Sequence, residues 1–150
     1  MNMKGFFPLF LRTAAVMVLS SFSHAATPPV TTPPESFFQL VDEEDRDAAR
    51  EFYKKYIDVN GMPAVAADVV DERALLRTHE IVTSMLAGRP DVAEAMAETG
   101  MYLIIIGRDQ VYTDMPEYRN ARNPDYLNER VRGTGGRPTS FGEENLLSLP

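Results

Sequence analysis

One short segment, residues 79–83 with the sequence HEIVT, contains the residue types of a metal site. A zinc peptidase helix carries two histidines four residues apart, so that both imidazoles reach one metal, and the glutamate between them is the general base. The second histidine position is Thr83 here, and His24 lies in the leader described below. A lone histidine on an apolar helical face is more often a core or half-buried residue. The sequence therefore predicts no zinc site at His79.

The glycine-rich segment GTGGRPTS, which begins at Gly133, is similar to phosphate-binding loops in composition alone. A Walker loop needs a Lys-Ser/Thr pair that opens a helix, and a dinucleotide loop needs a preceding strand and the GxGxxG spacing. Neither pattern is present. Gly133, Gly135 and Gly136 are therefore interpreted as a flexible loop, either around a binding cleft or without a role in binding.

Two adjacent carboxylates, Glu143 and Glu144, follow Gly142 in the segment GEEN. In a strand, adjacent side chains point to opposite faces, so the pair would not share a proton or an ion, whereas a turn would allow it. Exposed surface carboxylates are the simplest interpretation. No Ser-His-Asp arrangement is recognisable, and the sequence has no cysteine for a disulfide, a thiolate metal site or a nucleophile.

Composition and charge restrict the class of protein. The 150 residues are 44% hydrophobic and 25% charged, which is typical of one globular domain. Two of the 15 basic residues, Lys4 and Arg12, lie in the leader, so 13 basic and 22 acidic residues remain, a balance of −9. Phosphate groups need a basic surface, so no nucleic-acid partner is expected.

The first 26 residues are typical of a secretory signal peptide. Lys4 and Arg12 supply the basic start, residues 13–22 form a short apolar core, and the small residues around Ala25 and Ala26 allow cleavage after either one. The apolar core is too short to span a bilayer. We therefore predict a secreted or periplasmic protein without an integral membrane segment after cleavage.

A proline-rich linker and a helical region follow the leader. Residues 27–35, TPPVTTPPE, predict an extended linker, and residues 36–150 predict a single α+β domain. Apolar spacing predicts three helices, at residues 43–56, 72–87 and 90–99, with Asp71 as the cap of the second. The segment MPAVAADVV after the first helix fits either a short strand or a covering loop.

The second half of the chain predicts a small mixed sheet. The apolar run at residues 101–107 has strand length and predicts an inner strand that is buried on both faces. Residues 111–115, VYTDM, predict a second strand in a hairpin with the first. Residues 116–137 predict a long polar loop, with a possible helical turn at PDYLNERV. The tyrosines and arginines from Tyr112 to Arg137 either line a peptide groove or form solvated surface. ENLLSLP, residues 144–150, predicts a last strand.

Four segments taken together resemble a family of secreted zinc-metallopeptidase-like proteins. They are FYKKYIDVNGMPAV, IVTSMLAGRPDVAEAMAETG, DQVYTDMPEYR and RGTGGRPTSFGEENLLSLP, in the same order and over most of the chain from Phe52 onward. The catalytic part of this family is related to gluzincins of the anthrax lethal factor type. The resemblance implies the α+β region that precedes a zincin catalytic helix, with a groove for a peptide substrate.

In this family the strand that matches ENLLSLP is followed by the HExxH helix that binds zinc. The sequence stops before that helix, so the resemblance assigns no zinc ligand, no catalytic residue and no cofactor here, although zinc is expected for a complete family member. It also implies that the loop at residues 133–145 approaches the cleft. Five residues are therefore candidates for lining it: Gly135, Gly136, Glu143, Glu144 and Asn145.

The favoured functional hypothesis is an exported protein that resembles a zinc metallopeptidase but has no catalysis of its own as this chain. A complete member would hydrolyse peptide bonds with a zinc-activated water and a glutamate base. The alternative is a non-enzymatic secreted or periplasmic module that binds a peptide or protein. The expected partner is a peptide, a protein or a separately encoded C-terminal portion that covers apolar surface; without such cover, marginal solubility is expected.

Overall fold

The computed structural model describes residues 26–148, so nearly all of the predicted signal peptide lies outside the described residues. The helices are α1 (Glu35–Phe38), α2 (Arg46–Phe52), α3 (Glu72–Leu86), α4 (Pro90–Glu98), α5 (Pro124–Arg130) and α6 (Glu143–Leu147). The strands are β1 (Tyr53–Val59), β2 (Met62–Ala67), β3 (Leu103–Ile106), β4 (Gly133–Thr134) and β5 (Thr139–Gly142). Two 3₁₀ turns, Tyr112–Asp114 and Pro116–Tyr118, lie between β3 and α5.

A five-stranded mixed sheet with the order β1-β2-β3-β5-β4 organises the fold. β1 and β2 form an antiparallel hairpin, β2, β3 and β5 run parallel, and β4 is antiparallel to β5. Parallel neighbours need a crossover connection, which α3 and α4 supply between β2 and β3. The predicted α+β class with a mixed sheet is confirmed, and the sheet contains a hairpin, which is formed by β1 and β2.

The sheet has a separate apolar core on each face, because successive side chains of a strand point in opposite directions. On the first face, Val65 and Ile104 pack with residues of α1, α2 and the 3₁₀ turns. On the second face, Leu103 and Ile105 pack with residues of α3. All four residues of β3 are buried, so the predicted inner strand is confirmed.

The predicted helix at residues 43–56 is wrong in its second part. α2 ends at Phe52 and the chain continues directly into β1. Asn60 and Gly61, which were interpreted as the end of the helical segment, form the turn of the β1–β2 hairpin with φ values of 54° and 83°. Positive φ at both central residues gives a turn whose twist matches that of the flanking strands, and Asn-Gly is a preferred pair for it. The ambiguous segment MPAVAADVV supplies β2.

The two central helices are confirmed. Asp71 caps α3 through its side chain, which accepts a hydrogen bond of 2.9 Å from the backbone N–H of Arg73. Pro90 occupies the first turn of α4, where a missing N–H is tolerated. His79 lies half-buried on α3, as the sequence predicted.

The predicted strand at residues 111–115 is wrong, and so is its hairpin with β3. Tyr112–Asp114 is a 3₁₀ turn that buries Tyr112 and Met115 on the first face of the sheet. These two buried residues are three apart, which is the spacing of one 3₁₀ turn rather than the spacing of two that a strand gives. The long polar loop predicted after them contains a second 3₁₀ turn, α5 and β4.

The predicted last strand is also wrong, since ENLLSLP begins inside α6. The strand lies just before it, as β5, and ends at Gly142. Both neighbours of β5 are paired to it, β3 on one side and β4 on the other. The glycine-rich segment and the GEEN segment therefore flank a central strand of the sheet.

The predicted linker lies along the outer edge of β1. Thr31 and Tyr56 form an isolated antiparallel bridge, in which each backbone N–H donates to the carbonyl of the other residue, at 2.9 and 2.8 Å. Val30 packs against the core of the second face. We call residues 26–34 the strap, because they are seated on the sheet rather than spanning open solvent.

Candidate functional site

The five candidate cleft residues lie at the two ends of β5 and not together. Gly135 and Gly136 belong to the turn before this strand, whereas Glu143, Glu144 and Asn145 form the start of α6 directly after it. β5 has four residues, and at about 3.3 Å per residue it separates the two groups by roughly 13 Å.

Glu143 is buried, with 5% of its surface exposed, which corrects its interpretation as a surface carboxylate. Its Oε1 accepts a hydrogen bond of 2.7 Å from the backbone N–H of Asp71, and its Oε2 accepts one of 2.9 Å from that of Arg108. Asp71 follows β2 and Arg108 follows β3. The side chain therefore joins the carboxyl ends of all three parallel strands.

Glu144 points to a different partner, Arg132. Nε and Nη2 of Arg132 each donate to its carboxylate at 2.8 Å, and the same guanidinium also donates to the carbonyls of Gly107 and Gln110. The hydrogen bonds from Arg132 lower the pKa of Glu144 below its ordinary value. A Cβ at Gly142 would lie 2.3 Å from Oε1 of Glu144, so a larger residue there would force this carboxylate to shift.

We call Asp71, Arg108, Arg132, Glu143 and Glu144 the strand-end cluster. The hydrogen bonds of Arg73, from its side chain and its backbone, lower the pKa of Asp71 to about 2. Each carboxylate of the cluster accepts hydrogen bonds from the chain itself. Asn145 is exposed beside them. The cluster thus has the properties of a structural junction.

A second group of polar residues surrounds a cavity of about 220 Å³ beside the first face of the sheet. We call it the Glu117 cavity. Arg137 and Pro138 form part of its wall and directly follow Gly136, so the glycine-rich turn flanks this cavity rather than the strand-end cluster. Its lining residues are Leu40, Asp42, Asp45, Tyr102, Glu117, Tyr118, Arg137 and Pro138.

Glu117 is held between two tyrosines. The hydroxyl of Tyr53 donates to Oε2 at 2.6 Å and that of Tyr102 donates to Oε1 at 2.9 Å. Burial raises the pKa of Glu117 above its ordinary value, although both hydrogen bonds act in the opposite direction. Burial, followed by the nearby Glu117 charge, also raises the pKa of Tyr53 and Tyr102, so both hydroxyls stay protonated as donors.

The other polar residues of the cavity differ in how they are paired. Asp45 is buried and forms an ion pair with Arg119 at 2.6 Å, whereas Asp42 is exposed. Arg137 donates to the carbonyl of Thr99. Within residues 26–148, neither Asp42 nor Glu117 forms an ion pair with an arginine or lysine. The cavity can therefore offer carboxylate oxygens to a cationic group.

Sequence reasoning did not find Glu117. Tyr53 and Tyr102 lie 64 and 15 residues away from it along the chain, and no local pattern joins them. The expectation that tyrosines and arginines of residues 112–137 line a groove was the nearest signal, and Tyr118 and Arg137 do line this cavity. Tyr112 instead stacks on Tyr118, with ring centroids 4.2 Å apart.

Two kinds of feature are absent from the described residues. In residues 26–148, no set of three or more His, Cys, Asp or Glu side chains is placed to hold a metal ion. No helix in the same range is both long enough and apolar enough to cross a membrane. Comparisons of the chain with protein-family models, with curated proteins and with solved structures found no match.

Proposed function

We propose that this chain is an exported domain that binds a peptide or protein segment without peptide-bond chemistry of its own, on a scaffold that resembles part of a zinc-metallopeptidase-like protein. The observation that carries the proposal is the Glu117 cavity. Ligand sites are typically concave, with a small number of placed polar groups, and residues with a shifted pKa concentrate in them. The raised pKa of Glu117 fits this description.

The side chains that line the cavity favour a ligand with a basic group. Asp42 and Glu117 present carboxylate oxygens, and the wall also contains the apolar side chains of Leu40 and Pro138. A lysine or arginine side chain matches both features, because an apolar stem carries its charged end. The excess of acidic residues outside the leader attracts such segments over a longer range.

The strand-end cluster supports the same choice by contrast. Its carboxylates are already occupied by backbone N–H groups or by arginine, so a ligand would have to replace those bonds. In the Glu117 cavity, the oxygens of Glu117 accept hydrogen bonds from two tyrosine hydroxyls. Asp42, however, is exposed, and among the described residues neither a backbone N–H nor an arginine binds its carboxylate. A ligand can bind there without opening the fold.

The proposal is tested with the purified full chain on an array of immobilised peptides. We expect retention on peptides that contain lysine or arginine, and a loss of affinity of about tenfold or more for Asp42→Asn and Glu117→Gln, since a hydrogen bond to a charged group contributes roughly 1.5–3 kcal/mol. Glu94→Gln, an exposed carboxylate of α4 outside the cavity, is the matched control and should bind as the wild type does.

The proposed site would be contradicted if the chain is retained equally on peptides with and without lysine or arginine. It would also be contradicted if the cavity variants and the control have equal affinity. The same peptides are also incubated with the chain and added Zn²⁺, and their masses are then measured by mass spectrometry. We expect intact peptides. Specific cleavage would contradict the absence of peptide-bond chemistry.

A further inference from the structure

We propose that the outer edge of β1, now occupied by the strap, is a second binding surface that accepts an extended segment of a partner polypeptide by strand addition. The inference rests on the proposed peptide-binding function but uses a different surface from the Glu117 cavity. β1 is the outermost strand of the sheet and pairs with β2 on its other side. An edge strand presents N–H and C=O groups to which an extended peptide can add.

The pair of Thr31 and Tyr56 shows how a chain sits on this edge. It is antiparallel, and the two residues exchange both backbone hydrogen bonds. In an antiparallel ladder such pairs recur at every second residue. The next pairs would join Asp58 to Pro29 and Lys54 to Pro33.

The prolines limit the strap to one hydrogen-bonded residue pair with β1. Proline has no N–H, so neither Pro29 nor Pro33 can complete the exchange of hydrogen bonds. The described residues show no backbone hydrogen bond from the strap to Asp58. A β-bulge between Tyr53 and Lys55 disturbs the ladder at its other end. An incoming segment without proline at the matching position therefore gains the pair at Asp58 that the strap cannot make.

A groove beside this edge receives side chains of the incoming segment. It has a volume of about 350 Å³, and its lining includes Phe37, Tyr56, Asp58 and Pro63 together with Pro34, the last residue of the strap. The two rings and the proline form apolar walls, and Asp58 adds a carboxylate. The partner that fits is an extended, antiparallel segment that carries apolar or basic residues and no proline at alternate positions.

The experiment compares two synthetic peptides on a full chain whose strap has been released. Thr31→Pro removes the N–H that donates to Tyr56 and so frees the edge. Thr32→Pro is the matched control, because Thr32 makes no backbone hydrogen bond with β1 in the structure and the proline favours an extended residue before it. One peptide has the strap sequence TPPVTTPPE, and the other, TPTVTTTPE, carries the changes Pro29→Thr and Pro33→Thr.

We expect TPTVTTTPE, which lacks proline at the two ladder positions, to bind the Thr31→Pro variant about tenfold more tightly than the strap peptide does, by fluorescence anisotropy. The Thr32→Pro control should bind either peptide more weakly than Thr31→Pro. Equal affinity for both peptides, or no binding, would overturn the inference. Self-association of Thr31→Pro that TPTVTTTPE fails to reverse would overturn it too, because the occupant of the edge would then be a second copy of this chain.

A second measurement covers the case in which Thr31→Pro does not fold. Excess TPTVTTTPE is added to the wild-type chain and amide hydrogen exchange is followed at Asp58. Slower exchange is expected there, and unchanged exchange would overturn the inference. The two proposals fail separately. If basic peptides bind through Glu117 while strand addition is absent, only the edge inference is wrong; if the reverse is found, only the cavity assignment is wrong.

Discussion

The strand-end cluster and the Glu117 cavity each contain an interior carboxylate that accepts two hydrogen bonds, but the donors differ. Glu143 is held by two backbone N–H groups, from Asp71 and Arg108, whereas Glu117 is held by two side-chain hydroxyls, from Tyr53 and Tyr102. Backbone donors are fixed by the paths of the strands. Hydroxyl donors can rotate, and one of these two, that of Tyr102, belongs to a residue that lines the cavity. The first carboxylate therefore maintains the fold, while the second can change its partners.

The pKa shifts of the carboxylates in the two regions also differ in direction. Hydrogen bonds from arginine lower the pKa of Glu144 and of Asp71, which favours their charged forms. Burial raises the pKa of Glu117, which favours its neutral form. A bound cation would reverse that balance at Glu117, since an opposite charge favours the ionised carboxylate. The chemically adaptable carboxylate is therefore Glu117, whose donors are side-chain hydroxyls rather than backbone N–H groups or an arginine.

The largest effect is expected for Glu143→Ala, which leaves the N–H groups of Asp71 and Arg108 without their acceptor. An unsatisfied buried polar group costs roughly 1–3 kcal/mol, so the free energy of unfolding should fall by about 2–4 kcal/mol in urea denaturation. Asn145→Ala, an exposed neighbour on the same helix, is the control and should stay within about 0.5 kcal/mol of wild type. A loss no larger than that of the control would show that Glu143 does not join the strands.

A smaller loss is expected for Tyr53→Phe, which removes one of the two donors to Glu117 and keeps the ring in the core. The free energy of unfolding should fall by about 1–2 kcal/mol. If the hydroxyl holds the carboxylate in place, affinity for basic peptides should change together with stability. Tyr56→Phe provides the comparison, because its half-buried ring carries no hydroxyl hydrogen bond within the described residues. If Tyr53→Phe and Tyr56→Phe lower the free energy of unfolding equally, the hydrogen bond from Tyr53 to Glu117 does not contribute to stability.

The smallest effect is a difference in pH dependence between wild type and Glu117→Gln. The folded-state pKa of Glu117 is raised above its ordinary value of 4.5. Its contribution to stability is therefore fully present below that value and is lost as the pH rises through the folded-state pKa. Relative to the non-titrating variant, wild type should lose stability between acidic and neutral pH in urea denaturation. A relative gain over this range would contradict the raised pKa.

Sequence reasoning succeeded where local signals were strong and consistent. The apolar run of β3 between glycines, the capping Asp71 and the first-turn Pro90 all lie within the elements that they define. It failed where one sequence pattern is compatible with two different structures. Asn60-Gly61 ends a helix or turns a hairpin, and only the pairing of β1 with β2 decides between them.

The site residues were harder to predict, because their contacts are distant along the chain. Glu143 accepts hydrogen bonds from the N–H groups of residues that lie 72 and 35 positions away along the chain. Glu144 is bound by Arg132 instead, so the two adjacent carboxylates do not form a shared site. The strap illustrates the same limit. Its prolines predicted an extended segment, but its place on β1 depends on a bridge between Thr31 and Tyr56.

The position of β5 in the sheet has a consequence for synthesis of the protein. This strand comes from residues 139–142, yet it lies between β3 and β4 and supplies β3 with its second neighbour. A chain that is still leaving the ribosome before Thr139 has emerged presents β3 as an open apolar edge. The sheet is therefore complete only after residues 139–142 have emerged, and until then β3 has an unpaired apolar edge of the kind that makes an incomplete chain prone to aggregation.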